Sequence, residues 1–219
     1  MDVQYRSVDK APSFRSDDGK TKITGVASVA YDGTPNTEFV LRKERNGIPR
    51  VVERIMPGAF NEVLAAGPDV RVLRNHDPDN LLGRTRSGTA KVWTNERGDL
   101  EYETDVPDTA TGRDTVELLK RGDLSGSSFA FVVGQEDFHH EEGKQVVEIK
   151  SVSALYDVGP VAFPAYASTS AGVRSGDPQS VLKRVEEWEA KQKAEQEQAE
   201  RERTERIEAL LDRARKAGM

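Results

Sequence analysis

Up to Tyr166 the apolar positions come in short runs with a period of two, whereas beyond Pro178 they recur every third or fourth residue. The first pattern belongs to half-buried strands and the second to one face of a helix. Ile23 to Tyr31 alternates apolar with small residues and reads as a strand. Phe39-Val40-Leu41 and Val51 to Ile55 are expected to pair across Asn46-Gly47, a turn signal. Val70 to Arg74 is a further strand. Ala90 to Thr94 and Leu100 to Val106 form a hairpin around Glu96 to Asp99. Ser127 to Val133 and Val146 to Ala154 form another around His139 to Gly143, and Val158 to Phe163 closes the set. Two short helices interrupt the strands. Pro57 to Ala66 has Pro near its first turn, and Thr111 to Arg121 has Gly122 as its stop.

Many strands with helices inserted singly predict an α+β domain, mostly an antiparallel sheet or barrel with a few flanking helices. That domain is expected over 1–166, with a flexible linker over 167–178 and a charged helical tail over 179–219. The linker reading rests on Ala167 to Gly176, a run of small and polar residues. In the tail, Val181, Leu182, Val185 and Trp188 make one apolar stripe, and Ile207, Leu210, Leu211 and Ala214 a second. The stretch from Glu189 to Arg206 between them is too polar for a strong coiled coil.

Composition narrows the chemistry. The chain has 219 residues, enough for one ordinary domain with a core plus a tail. It has no cysteine, which removes thiol nucleophiles, disulfides and cysteine-bound zinc. No apolar run is long enough to cross a membrane, and Met1 to Arg6 has no apolar core of the kind a secretory signal carries. A net charge of −6 does not suit a grip on nucleic acid.

Only three histidines are present, so candidate bases are few. His76 follows a strand, inside Asn75-His76-Asp77-Pro78-Asp79-Asn80, a run whose residue types are also those of an ordinary turn. Ser128 opens a strand in which Phe129, Phe131 and Val133 share the bulky face. Ser128, Ala130 and Val132 share the other, a side lined by small residues. A serine hydroxyl needs a neighbouring base to lose its proton near pH 7, and histidine suits that task. Ser127 points with the phenylalanines, and Ser125 precedes the strand.

Other motifs fail on their own terms. Asp77 to Asn80 lacks the Gly and the distal Glu of a calcium loop. His139-His140-Glu141-Glu142 sends neighbouring side chains to opposite faces and chelates poorly, so it reads as a solvated hairpin tip. Gly19-Lys20-Thr21 lacks the first glycine of a phosphate loop. There is no G-x-S-x-G elbow.

Five segments in order change the weight of these signals. They are Glu53 to Phe60, Asn75-His76-Asp77, Leu82-Gly83-Arg84, Arg121 to Phe131 (with Ser127-Ser128-Phe129-Ala130-Phe131) and Asp157 to Tyr166. Together they resemble the prohead maturation protease family of tailed bacteriophages, over about Ile23 to Tyr166. The resemblance implies a fold related to the herpesvirus assembly proteases and a serine endopeptidase that cuts scaffold segments and capsid-protein extensions inside the immature shell. The small, polar run between about Ala167 and Gly176 adds the expectation that the enzyme also cuts itself there. It implies His76 as base and Ser128 as nucleophile. The third member falls on Asp157, where a longer Glu is more familiar, and Phe129-Ala130-Phe131 stands where the family has Phe-Gly-Phe. Another acid, such as Glu148, remains a candidate to orient His76. No cofactor or metal is implied. The implied partners are the major capsid protein and its scaffold segment, with a homo-oligomer open, and no nucleic acid or membrane. The implied place is the host cytoplasm, inside the assembling prohead. The alternative is a scaffold-like assembly protein on the same fold that does no cleavage, for which Ser128 and His76 would have no use.

Overall fold

Eleven strands and three α-helices make up the computed structural model, which describes residues 2–17, 20–164 and 178–216. The strands are β1 (Gln4–Val8), β2 (Ser13–Asp17), β3 (Lys20–Ser28), β4 (Phe39–Arg42), β5 (Val51–Ile55), β6 (Arg71–Leu73), β7 (Leu81–Arg84), β8 (Ala90–Thr94), β9 (Leu100–Asp105), β10 (Gly126–Glu141) and β11 (Lys144–Val161). The helices are α1 (Asn61–Ala65), α2 (Ala110–Arg121) and α3 (Pro178–Lys216). The chain falls into two compact units, Met1–Pro178 and Gln179–Met219. The linker expected over Ala167 to Gly176 lies outside the described residues.

The hairpin of β10 and β11 is the spine of the first unit. It is longer than the sequence pattern suggested: β11 runs on through Val158 to Val161, so the separate closing strand is its second half. Register shifts beyond Ala130 bend the pair, which is what a bulge does to a two-stranded ladder. The bend lets β11 take different partners along its length. Gln145 to Ile149 pairs with β5, which pairs in turn with β4, while Asp157 and Val158 pair with β6, which continues to β7. β1 closes the far edge against β10, giving the order β1-β10-β11-β5-β4 with β6 and β7 as a branch. A second sheet runs β2-β3-β9-β8.

The α+β reading holds. Neither sheet closes on itself, so the open-sheet form of that expectation is the right one. Most pairings are antiparallel, but β11–β5 and β11–β6 are parallel. Alternation along a strand sets its faces and not its direction, so parallel pairing leaves no mark in the pattern of apolar positions. The hairpins β4–β5 and β8–β9 pair as expected.

The core of this unit is mostly apolar. Ile23, Leu100 and Tyr102 from the small sheet and Phe129, Phe131 and Val158 from the large one are fully buried. Phe129 stacks on Phe131 at 4.7 Å between ring centroids and meets Phe60, just before α1, edge-on at 5.7 Å. α2 is bounded as its sequence indicates. The Thr109 hydroxyl accepts from the Gly112 N–H at 3.2 Å, and Gly122 ends the helix with φ of 78°, a conformation that costs glycine little.

Candidate active site

Two strand ends and one turn converge. Ser128 lies near the start of β10 and is paired in register with Ser7 of β1 and Gly159 of β11. Two residues on, Ala130 is paired with Tyr5 and Asp157. Cross-strand partners project to the same face, as do alternate residues of one strand. One patch of the large sheet therefore carries Ser7, Ser128 and Gly159 in one row and Tyr5, Ala130 and Asp157 in the next. The small residues in these rows leave room above the sheet.

His76 enters that room from the turn after β6. Asn75 and His76 both have φ of 57°, a left-handed conformation that costs a non-glycine residue about 1–3 kcal/mol. The surroundings over-determine it. The Asn75 N–H donates to the Pro160 carbonyl at 3.0 Å, and the Asn75 side-chain oxygen accepts from the Ala162 N–H at 2.9 Å. Asp77 caps the 3₁₀ turn Pro78–Asn80 by accepting from the Asp79 N–H at 2.9 Å, and Asn80 donates to its other oxygen at 2.8 Å. Arg74 donates to the Asn80 side chain at 2.7 Å and reaches the Thr115 hydroxyl of α2 at 3.4 Å. The turn chemistry of this run and its candidate base are thus one device: Asp, Asn and Pro build the platform from which the imidazole projects.

β6 must come close to β11 for the turn to arrive there, and Gly159 permits it. A Cβ on Gly159 would stand 2.0 Å from the Leu73 carbonyl oxygen. The same residue faces Ser128 across the ladder.

His76 Nδ1 lies 2.5 Å from Asp157 Oδ1, and Nε2 lies 2.6 Å from Ser128 Oγ. An ionised carboxylate can only accept, so Nδ1 carries the proton and Nε2 presents its lone pair to the hydroxyl. Ser128 Oγ also lies 2.8 Å from the Arg6 carbonyl. One hydroxyl proton thus has two acceptors within reach. All three side chains are largely shielded: Ser128 is 4% exposed and Asp157 7%, and the His76 side chain 16%.

The structure brings together Ser128, His76 and Asp157. Glu148 goes elsewhere, ion-paired to Lys150 and within 3.9 Å of Arg54. Ser127 is fully buried on the opposite face, its hydroxyl 3.1 Å from that of Tyr102. The Tyr102 hydroxyl is held strongly protonated by burial. The hairpin tip is an ionic cluster: Glu141 takes two bonds from Arg54, at 2.6 and 2.9 Å, and Arg54 also grips Glu38. Two residues that touch the site, Tyr5 and Arg6, carried no signal in the sequence, because β1 has neither an apolar run nor a motif. A separate apolar hollow of about 470 Å³ lies beside Leu64, Val70, Val92 and Trp93 and includes none of the three residues.

A histidine bonded to a serine on one side and to a carboxylate on the other is the arrangement by which serine hydrolases activate their nucleophile. The chain belongs to the caudovirus prohead serine protease family, whose sequence model matches residues 15–184. The structure is also similar to that of the bacteriophage T4 capsid assembly protease, gp21, at 10% sequence identity and a TM-score of 0.43, covering 73% of this chain and 97% of that one. No curated protein matches the sequence.

Proposed function

We propose that this chain is the endopeptidase of a phage prohead, with Ser128 as nucleophile, His76 as base and Asp157 as its orienting acid. The observation that carries the reading is the pair of short contacts on either side of the His76 ring, 2.6 Å to Ser128 and 2.5 Å to Asp157. Ser128 Oγ attacks the scissile carbonyl carbon as its proton passes to His76 Nε2. The tetrahedral intermediate collapses, and Nε2 returns the proton to the leaving amine. Water then repeats the sequence on the acyl-enzyme and frees Ser128. Asp157 holds the tautomer with Nδ1 protonated and stabilises the imidazolium that forms. The substrates are the major capsid protein and its scaffold segment, cut inside the assembling shell in the host cytoplasm. The family of prohead serine proteases supports that setting.

Co-expression with the major capsid protein tests this. Intact mass should show the capsid chain shortened, and Ser128→Ala or His76→Ala should lower cleavage by on the order of 10⁴–10⁶ while the fold survives. A capsid chain cut equally by wild type and Ser128→Ala would overturn the assignment.

A further inference from the structure

Strand β1 lies outside the family-matched residues 15–184, yet two consecutive residues of it reach the candidate triad. Arg6 places its carbonyl at the Ser128 hydroxyl, and the Tyr5 ring meets the His76 ring edge-on, with centroids 4.7 Å apart and planes at 76°. The row Tyr5–Ala130–Asp157 across β1, β10 and β11 explains how. Its central member contributes one methyl group. The row therefore has a wall at each end, and the imidazole touches both: Asp157 by a hydrogen bond and Tyr5 by its ring.

We propose that Tyr5 is a positioning residue for His76, its ring forming the wall opposite Asp157 that keeps the imidazole aimed at Ser128. The proposal rests on the triad assignment above. An edge-to-face contact has a preferred angle and distance, so it resists tilting of the ring in a way that aliphatic bulk does not. The strand is held firmly enough to serve as a wall. Arg6 forks onto Glu53 with bonds of 2.6 and 2.9 Å, and both are buried. The same guanidinium donates to the Tyr5 carbonyl at 2.8 Å and to the Gln4 side chain at 2.9 Å. The backbone of Tyr5 is thus clamped from the neighbouring residue. Its phenol is not an acid or base near neutrality, because burial first and the Asp157 charge second raise its pKa above the usual value of 10.0. The ring is the working part, and the hydroxyl is dispensable.

The experiment uses the full chain and a fluorophosphonate, which needs no peptide substrate: the activated serine oxygen attacks its phosphorus, fluoride leaves, and a stable phosphonate ester remains on the serine. Wild type should label and Ser128→Ala should not; labelling of Ser128→Ala would sink the triad assignment separately from the Tyr5 proposal. Tyr5→Ala and Tyr5→Leu should each slow labelling on the order of tenfold to a hundredfold, the scale of a small misplacement of a reacting group. Tyr5→Phe should label as wild type. Tyr5→Leu keeps a bulky apolar residue in β1 and so preserves the strand if Tyr5→Ala does not fold. Proton NMR supplies a second readout that does not depend on activity: the His76 Nδ1–H bonded to Asp157 should give a far-downfield signal in wild type and Tyr5→Phe. That signal should be lost or broadened in Tyr5→Leu. Wild-type labelling and an intact signal in Tyr5→Leu would overturn the proposal, as would a Tyr5→Phe that fails as badly as Tyr5→Leu.

Discussion

Arg6 and Glu53 are separated by 47 residues and form a bidentate ion pair in the interior, with side chains 7% and 0% exposed. The pair ties the edge strand β1 to β5, on the other side of the β10–β11 spine. The Ser128 strand is thereby enclosed between two elements that a single guanidinium connects.

Removing one partner leaves the other charge buried. Arg6→Met or Glu53→Gln should each destabilise the fold by about 3–5 kcal/mol, whereas replacing both partners by apolar residues of similar volume should cost far less. Chemical denaturation of the three variants measures this. Single variants as stable as wild type would show that the pair does not hold the strand.

Asp157 and Glu148 are separable by the same logic. Asp157→Asn leaves Ser128 and His76 in place but offers Nδ1 the wrong partner, and cleavage should fall by on the order of 10²–10⁴. Glu148→Gln should leave the rate unchanged, since its carboxylate faces Lys150 and Arg54. A reversal of the two results in the capsid-cleavage assay would move the orienting role to Glu148.

The contrast shows how much of the site was legible. His76 stood out because the chain has only three histidines, and Ser128 because strand alternation sets it on the side lined by small residues, while the family resemblance supplied the role expected of each. The turn residues around His76 do build a turn. Asp157 came only through family resemblance: a strand acid has no local mark, and its meeting with His76 depends on β6 pairing parallel to β11. Tyr5 and Arg6 were invisible for a different reason. In β1 the buried residues include Gln4, Arg6 and Ser7, and Arg6 is buried only because Glu53 waits for it. Hydropathy along the chain cannot register a partner so far away. The hairpins were legible because alternation and turn residues are local properties.

Gly159 supports a prediction about packing. With the Leu73 carbonyl oxygen 2.0 Å from where a Cβ would stand, Gly159→Ala must push β6 off β11. Such overpacking typically costs about 1–3 kcal/mol. The displaced strand leads directly to His76, so labelling of Ser128 by a fluorophosphonate should fall by more than the loss of stability explains. A variant that melts lower but labels at the wild-type rate would uncouple β6 from the site.

The ionic cluster at the hairpin tip sets an acid limb of stability. Bonds from Arg54 hold the Glu141 carboxyl down at about 2, against 4.5 for a free one. Its folded pKa is depressed, so its contribution is complete above the unfolded value and drains away as pH falls from about 4.5 toward 2. Glu38 is lowered as well: burial opposes ionisation, and the bonds from Lys144 and Arg54 outweigh it. Thermal melts across this range should therefore drop in wild type and drop less steeply in Glu141→Gln, where Glu38 and the other depressed carboxyls still contribute. Parallel curves for the two proteins would exclude Glu141 as a contributor.

Self-cleavage gives the last test. A protease cleft takes its substrate extended, so segments within strands or helices are poor targets until they unfold. From Gln4 to Phe163 most of the chain is committed to the two sheets and their helices, and from Pro178 onward to α3. Ala167 to Gly176 is different in composition: Ser, Thr, Ala and Gly dominate, and there is almost nothing to bury. This stretch is where the proposed enzyme should cut its own chain. Incubated at high concentration, wild type should release a C-terminal fragment beginning between Ala167 and Gly176, identified by intact mass, and Ser128→Ala should stay whole. The dependence on concentration separates two routes. Cleavage of one copy by another accelerates with concentration, whereas cleavage within one copy does not, and confinement in a shell would favour the first. A wild-type chain that stays full length for days would exclude self-cleavage and leave cleavage of the capsid protein to stand alone.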